Sequence, residues 1–272
     1  MLTIAALVCD QGSRARLQTA VRGQAQLTFC RTVSELVSAV ADGTATTVVT
    51  EWRDTNGCRV DDALRSLYAD YPSIPILVYA PLTQQGARDM LDAARAGATE
   101  VVIASFDDVG ITLAQRLAAA QAAALARQTL ARIADLVPES IAMLVDHFLR
   151  RGRSTPSVAA AARALGVSRK VLASQCARAH LPSPRALSCW TRLILTSQRL
   201  EDPSRTAERA ALEMGFPSGS GFRNMLKRYT GLSPADVRER GGSLCLIDLL
   251  VAQLSAAPTH AEAVPAVNTP AS

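Results

Sequence analysis

Aromatic side chains are scarce, at 4% of the 272 residues, so rings cannot supply the bulk of a core. Small residues, alanine above all, must do much of the packing, with leucine supplying most of the bulk. Histidine occurs three times, as the isolated His147, His180 and His260. The six cysteines (Cys9, Cys30, Cys58, Cys176, Cys189, Cys245) form no CxxC pair and show no metal-ligand spacing. They read as reduced, buried, small hydrophobes of a reducing cytoplasm, with Cys58, in a loop, the candidate reactive thiol. There is no Ser/His/Asp arrangement and no phosphate-binding loop, so an enzyme is not expected, and neither is a metal or a cofactor. No apolar run reaches the roughly 18 residues of a membrane span. The longest, LCLIDLLVAQL at 244–254, is short and holds Asp248. The opening MLTIAALVCD lacks a basic flank and soon meets Asp10, unlike a signal peptide. A cytoplasmic protein with no membrane partner is expected.

What is present is a chain that can bury a core, with 49% hydrophobic and 19% charged residues, long enough for one or two domains. Its net charge of +5 is uneven. Residues 1–120 carry −3, residues 121–150 balance, residues 151–243 carry +10 and the remainder −2. An acidic half joined to a basic half suggests that one module faces a polyanion and the other does not.

The first 105 residues alternate strand and helix. TIAALVCD (3–10), QLTFCRT (26–32), TTVVTEW (46–52), IPILVYAP (74–81) and TEVVIAS (99–105) read as strands. Helical stretches at 13–23, 33–43, 61–71 and 87–97 separate them, with Ser13 a plausible cap for the first, and a long helix begins near Asp107. The strands lack alternation, so both faces should be covered. Five such units predict a doubly wound parallel five-stranded α/β sheet, whose ligand chemistry sits at the carboxyl ends of the strands.

Asp10, Glu51, Ala80 and Ala104 lie at those ends, with TEWRDTNG after the third strand and GATEVVIASF before the last helix. The ordered set resembles the response-regulator receiver family over residues 3–120. The resemblance implies a flavodoxin-like strand order and a pocket for phosphoryl transfer. Glu51 falls on the family's phosphoacceptor aspartate, Asp10 and Cys9 on its metal-binding acidic pair, Ala80 on its hydroxyl residue and Ala104 on its lysine. The departures matter, because phosphoryl transfer relies on positioning and charge neutralisation. No lysine stands at 104, one metal carboxylate is missing, and Glu51 carries its carboxylate one methylene further out. Asp10, Glu51, Ala80 and Ala104 thus outline a degenerate pocket. Glu51 is read as a fixed charge or a solvated strand-end acid rather than a nucleophile.

From Ile111 to Leu136 the pattern is helical, with a stripe of Leu113, Leu117, Ala120, Ala124, Leu130, Ile133 and Leu136. The stripe could pack on the sheet and continue into a connector, or form a dimer seam interrupted by Arg116 and Arg127. A further helix after Pro138 should bury Ile141, Leu144, Val145, Phe148 and Leu149. Residues 157–181 then read as helix, turn at Gly166-Val167, and a helix capped by Ser168. Residues 204–231 repeat the shape, with Gly215 ending one helix, Phe216 as an apolar pin and a second helix starting near Ser218. A long helix, PRALSCWTRLILTSQRLED, separates the pairs.

With the ending MGFPSGSGFRNMLKRYTGLSPADVR, this arrangement resembles the DNA-binding domain of AraC-type transcription regulators over residues 155–240. Gly215, Phe216, Ser220, Phe222, Lys227, Gly231, Ser233, Pro234 and Arg238 fall on that family's pattern. The resemblance implies double-stranded DNA as partner, read by Arg169, Lys170, Ala173 and Ser174 of the first recognition helix. Gly219, Ser220, Arg223 and Asn224 read it from the second. Arg223 suits guanine and Asn224 adenine, while Lys227, Arg228 and Arg178 suit phosphates or solvent. Cys176 and Leu226 should be core.

The organisation expected is therefore a receiver-like domain at 1–120, a helical connector at 121–153 that is also a candidate dimerisation segment, and an AraC-type domain at 154–242. A C-terminal helix with a disordered tail follows at 243–272. The expected function is sequence-specific transcription regulation as a homodimer, with RNA polymerase a further candidate partner. The alternatives are a phosphorylation-responsive regulator, an adaptor that does not bind DNA, and, more distantly, a redox sensor through Cys58.

Overall fold

The computed structural model describes residues 2–22, 25–151 and 156–256. The N-terminal half runs β1 (Leu2–Leu7), α1 (Gln11–Val21), β2 (Ala25–Phe29), α2 (Val33–Ala41), β3 (Thr47–Glu51), α3 (Asp61–Asp70), β4 (Ile76–Ala80), α4 (Gln84–Arg95), β5 (Glu100–Ile103) and α5 (Gly110–Ile133). All pairings are parallel and the strand order is β2-β1-β3-β4-β5. This is the doubly wound flavodoxin-like order that the alternating pattern and the receiver resemblance predict.

Alternation along each strand feeds two cores. Ala5, Leu7, Val48 and Val78 pack with Leu36 of α2 and Leu64 and Leu67 of α3. Ile4, Ala6, Val49 and Leu77 face the other way, onto Leu17 of α1 and Leu113 and Leu117 of α5. The central strands are therefore buried on both sides. The edge strand β2 differs: its side chains alternate between half-buried and exposed.

The C-terminal half is all helical: α6 (Glu139–Arg150), α7 (Val158–Ala164), α8 (Arg169–Arg178), α9 (Pro184–Leu200), α10 (Ala207–Glu213), α11 (Gly219–Thr230), α12 (Pro234–Glu239) and α13 (Ser243–Ser255). α9 is its axis. Trp190, Leu193, Ile194 and Leu200 are buried on it, and α6, α10, α11 and α13 pack around it. The C-terminal helix expected at 244–254 is α13, laid on α9 and α5. The tail from 257 onward lies outside the described residues, as does most of the boundary at 150–156.

The expected boundary at residue 120 falls inside α5, a 24-residue helix about 36 Å long at the usual rise. Its first half packs on the sheet. Leu125, Ala126 and Ile133 of its second half belong to the C-terminal core, together with Ile141, Leu144, Val145, Phe148 and Leu149 of α6. The apolar stripe thus follows the first of its two readings, packing on the sheet and continuing onward, and it is not free to form a dimer seam. The arginines that break the heptad are also used internally. Arg116 pairs with Glu100 at 2.8 Å and Asp107 at 3.2 Å. Arg127 donates to the Pro72 carbonyl at 2.8 Å and lies 4.4 Å from the Tyr68 ring centroid. Residues 125–149 are thus part of the C-terminal body rather than a free connector.

Candidate nucleic-acid interface and strand-end pocket

Short polar side chains set the helix starts of the C-terminal half. Ser157, Ser168, Thr206, Ser218 and Ser233 each accept a backbone N–H from the first turn of α7, α8, α10, α11 and α12. Gly166 and Gly215 turn the chain between paired helices at φ 68° and 72°, where a side chain would be strained. Ala161 and Ala162 let α7 approach Leu172 and Cys176 of α8 closely. In the second pair Phe216 and Phe222 meet edge to face, 5.5 Å apart, and Leu226 is buried. The two pairs expected from sequence are thus held on α9 from opposite sequence sides.

Of the residues expected to meet DNA, Arg169, Lys170 and Ala173 are exposed on α8, and Ser174 is half-buried. On α11, Ser220, Arg223, Asn224, Lys227 and Arg228 are exposed. The Arg223 guanidinium donates to the Ser220 hydroxyl at 3.0 Å, which orders its stem at the start of the helix. Gly219 is a correction. It is buried, and a Cβ there would stand 2.0 Å from a carboxylate oxygen of Glu208. Its lack of a side chain serves the close crossing of α10 and α11 rather than a duplex. Two further arginines, Arg192 and Arg238, are structural. The Arg192 guanidinium lies 3.9 Å from the Phe216 ring centroid and its Nε donates to the Met214 carbonyl. Arg238 donates to the carbonyls of Leu200 and Arg205.

At the carboxyl ends of the strands, Glu51 closes β3. One carboxylate oxygen accepts the Cys9 N–H at 2.9 Å and the other the Asp10 N–H at 3.2 Å. Both oxygens therefore hold the β1–α1 loop. Asp10 is the actual cap of α1, accepting the Ser13 N–H at 2.7 Å, so the capping role expected of Ser13 belongs to Asp10. That hydrogen bond holds the Asp10 carboxyl below the usual aspartate range. Ala80 is buried, and Ala104 is half-buried beside the core.

The cation of the pocket comes from elsewhere. Arg16, on α1, donates to Asp108 at 2.7 Å and lies 3.9 Å from Asp10. Asp108 is fully buried and also accepts the Ser105 N–H at 2.7 Å, which fixes the turn where Ser105 adopts φ 67°. The Tyr79 hydroxyl lies buried nearby without a partner, and burial raises its pKa. Arg16, Asp108 and Tyr79 are absent from the sequence reading. The pair is 92 residues apart in sequence, a separation that leaves no local signal.

The receiver fold implies magnesium, and these residues do not suit it. The ion wants several oxygen donors in a near-ideal octahedron. Cys9 offers sulfur, both Glu51 oxygens hold backbone N–H groups, and Asp10 caps α1 beside a guanidinium. Among the described residues no three His, Cys, Asp or Glu groups gather in metal-holding geometry. No helix among them is long and apolar enough to cross a membrane.

A receiver-like α/β domain is joined to an all-helical domain with two helix-turn-helix pairs, and the family match of the second suggests a DNA-binding transcription regulator. Residues 161–240 match the family model described as a helix-turn-helix domain, in line with the AraC-type resemblance of that segment. Comparison with curated proteins gives no match. Similar solved structures include the signal receiver domain of an HD domain-containing protein from Pseudomonas fluorescens, at 16% identity and TM-score 0.41, covering 47% of this chain and 91% of that one. Full-length FixJ from B. japonicum is similar at 18% identity and TM-score 0.35, over 85% of this chain and 98% of that one. NtrX from Brucella abortus is similar at 14% identity and TM-score 0.43, over 62% and 42%. These likenesses are loose, and the receiver-like assignment rests on the strand order and the strand-end residues.

Proposed function

We propose that the chain is a cytoplasmic, sequence-specific transcription regulator that reads double-stranded DNA through α8 and α11. Its receiver-like domain works in one fixed state, without phosphoryl transfer. The observation that carries the reading is the exposure of Arg169, Lys170, Arg223, Asn224, Lys227 and Arg228 on the second helices of two capped helix pairs. Recognition helices meet base edges through their N-terminal halves, where Arg169, Lys170, Arg223 and Asn224 sit. Fluorescence anisotropy against genomic fragments tests it. Affinity should fall steeply with salt, with a log–log slope of about −0.9 per phosphate neutralised. Binding without a salt slope would favour the adaptor reading.

The fixed-state part is supported by the engagement of both Glu51 oxygens and by the alanines at 80 and 104. Incubation with a small phosphodonor should add no mass. A mass gain that Glu51→Gln abolishes would establish the phosphorylation-responsive reading instead. A second copy of the chain remains a proposed partner. Leu91, Phe106 and Ile111 are exposed apolar side chains on α4 and around the start of α5, and they are better placed for such a contact than the buried stripe of α5. RNA polymerase is proposed as a partner once the protein is on DNA.

A further inference from the structure

Among the described residues, one large hydrophobic side chain stands exposed on α8 and α11, the helices proposed to read DNA. It is Val171 of α8, at 44% exposure. A single apolar side chain on a surface needs no explanation by itself. Val171 is set apart by its place. It follows Arg169 and Lys170 directly in the first turn of α8, where the Ser168 hydroxyl accepts the Val171 N–H at 3.2 Å. Recognition helices meet base edges through this half. Leu172 and Cys176 turn inward and are buried, and Val171 stands to one side of that line. One turn further along the same flank, Gln175 is half-buried, and its amide oxygen accepts from the Ser140 hydroxyl of α6 at 2.8 Å. The flank is thus engaged by α6 at Gln175 and left open at Val171.

The two helices start in step, which allows a position-by-position comparison. Ser218 caps α11 by accepting the Gly221 N–H at 3.2 Å. Gly221 therefore stands where Val171 stands on α8, Arg223 where Ala173 stands, and Asn224 where Ser174 stands. α11 offers long hydrogen-bonding side chains and no apolar one. α8 offers the reverse: Ala173 has no polar group, Ser174 is short and half-buried, and Val171 is apolar and open. Stability does not call for valine here. A β-branched side chain is a poorer helix former than alanine, and this one covers no core. Its torsion is nearly fixed in a helix, so it loses little freedom when another surface packs on it.

We propose that Val171 is a specificity-determining residue of α8, packing its isopropyl group on the C5-methyl of a thymine in the major groove. That methyl is the one apolar group the four base pairs present there, and apolar side chains recognise it by contact. The short Ala173 and Ser174 let α8 come close enough for it. The two helices then read by different chemistry, α8 by an apolar contact and α11 by hydrogen bonds. The inference rests on the DNA-binding reading and names what α8 recognises.

The test uses the full chain and a synthetic duplex copied from the genomic fragment it binds most tightly, free of methylated cytosine. Each thymine is replaced in turn by deoxyuridine, which removes the methyl and nothing else. For the parent, one replacement should weaken binding about fourfold, the worth of roughly one buried CH₂ group. In Val171→Ala the same replacement should change nothing. The substitution should leave the melting temperature no lower, alanine being the better helix former, and the salt slope unchanged, because no phosphate contact is lost. The sensitive thymine should lie about one helical turn from the base pair at which Arg223→Ala relaxes discrimination. Indifference to every thymine methyl, or a sensitivity that survives intact in Val171→Ala, overturns the assignment while the DNA-binding reading stands. A parent chain that binds no duplex overturns that reading, and this assignment with it.

Discussion

The strand-end pocket and the faces of α8 and α11 use the same kinds of polar group in opposite ways. In the pocket, Glu51 holds two N–H groups, Asp10 caps α1, and Arg16 pairs with buried Asp108. Every named charge has an internal partner. On α8 and α11 the cations stand exposed, and the Arg223 guanidinium donates to the Ser220 hydroxyl. Charges satisfied inward make a rigid structure and leave little to offer a ligand. Charges left outward cost little while solvated and can exchange water and counterions for phosphate. On the proposed reading, the strand-end pocket serves as scaffold and the helical domain meets DNA.

The sharpest way to break the comparison is to remove an inward partner. Arg16→Met leaves Asp108 buried with only the Ser105 N–H. Breaking a buried pair costs about 3–5 kcal/mol, and partial exposure of Arg16 puts this case near about 3 kcal/mol. Urea denaturation should show that loss, and Arg16→Met with Asp108→Asn should recover part of it. A single variant as stable as the parent would mean that the pair holds nothing together. DNA affinity measured well below the melting temperature should change little.

Removing an outward group should have the reverse profile, with stability unchanged and binding altered. Arg223→Ala should cost about 1–3 kcal/mol at one base position and relax discrimination there. Lys227→Ala should weaken all sequences alike and reduce the salt slope by about one. Anisotropy over a set of single-base operator variants separates the two. Identical profiles for both substitutions would remove the distinction between reading and positioning on α11.

What was legible in the sequence follows the range of the interactions. The cap Ser168, the helix start near Ser218 and the turn glycines were readable because each acts within a turn or two of its own position, and the burial of Cys176 and Leu226 followed from the AraC-type resemblance. The five-stranded parallel sheet was readable because buried strands and amphipathic helices alternate strictly, and its order followed from the receiver resemblance. The division of α5 was not. One 3.6-residue stripe serves two cores, and periodicity records burial without naming the partner. Gly219 was assigned to DNA by the AraC-type resemblance; its closeness to Glu208 exists only once α10 and α11 cross. Arg16 and Asp108 are joined only by the fold. The likeness to receivers supplied the strand-end residues but not the arginine that lies among them.

The smallest effect expected concerns Asp10, the one group in the pocket that is both exposed and committed. Its carboxylate accepts the Ser13 N–H, which lowers its folded-state pKa below the ordinary 3.8. A depressed carboxyl pKa stabilises the fold above the unfolded value and loses that contribution as pH falls through the folded one. The wild type should therefore lose this increment only below about pH 4. Asp10→Ala should cost about 1 kcal/mol at neutral pH, the usual worth of an N-cap, and the difference between the two proteins should shrink as the pH is lowered through that range. Urea midpoints from pH 7 to pH 3 would show it. A difference that stays constant with pH would mean that the aspartate acts through packing rather than charge, and the pocket would then hold one fewer fixed ion than the comparison requires.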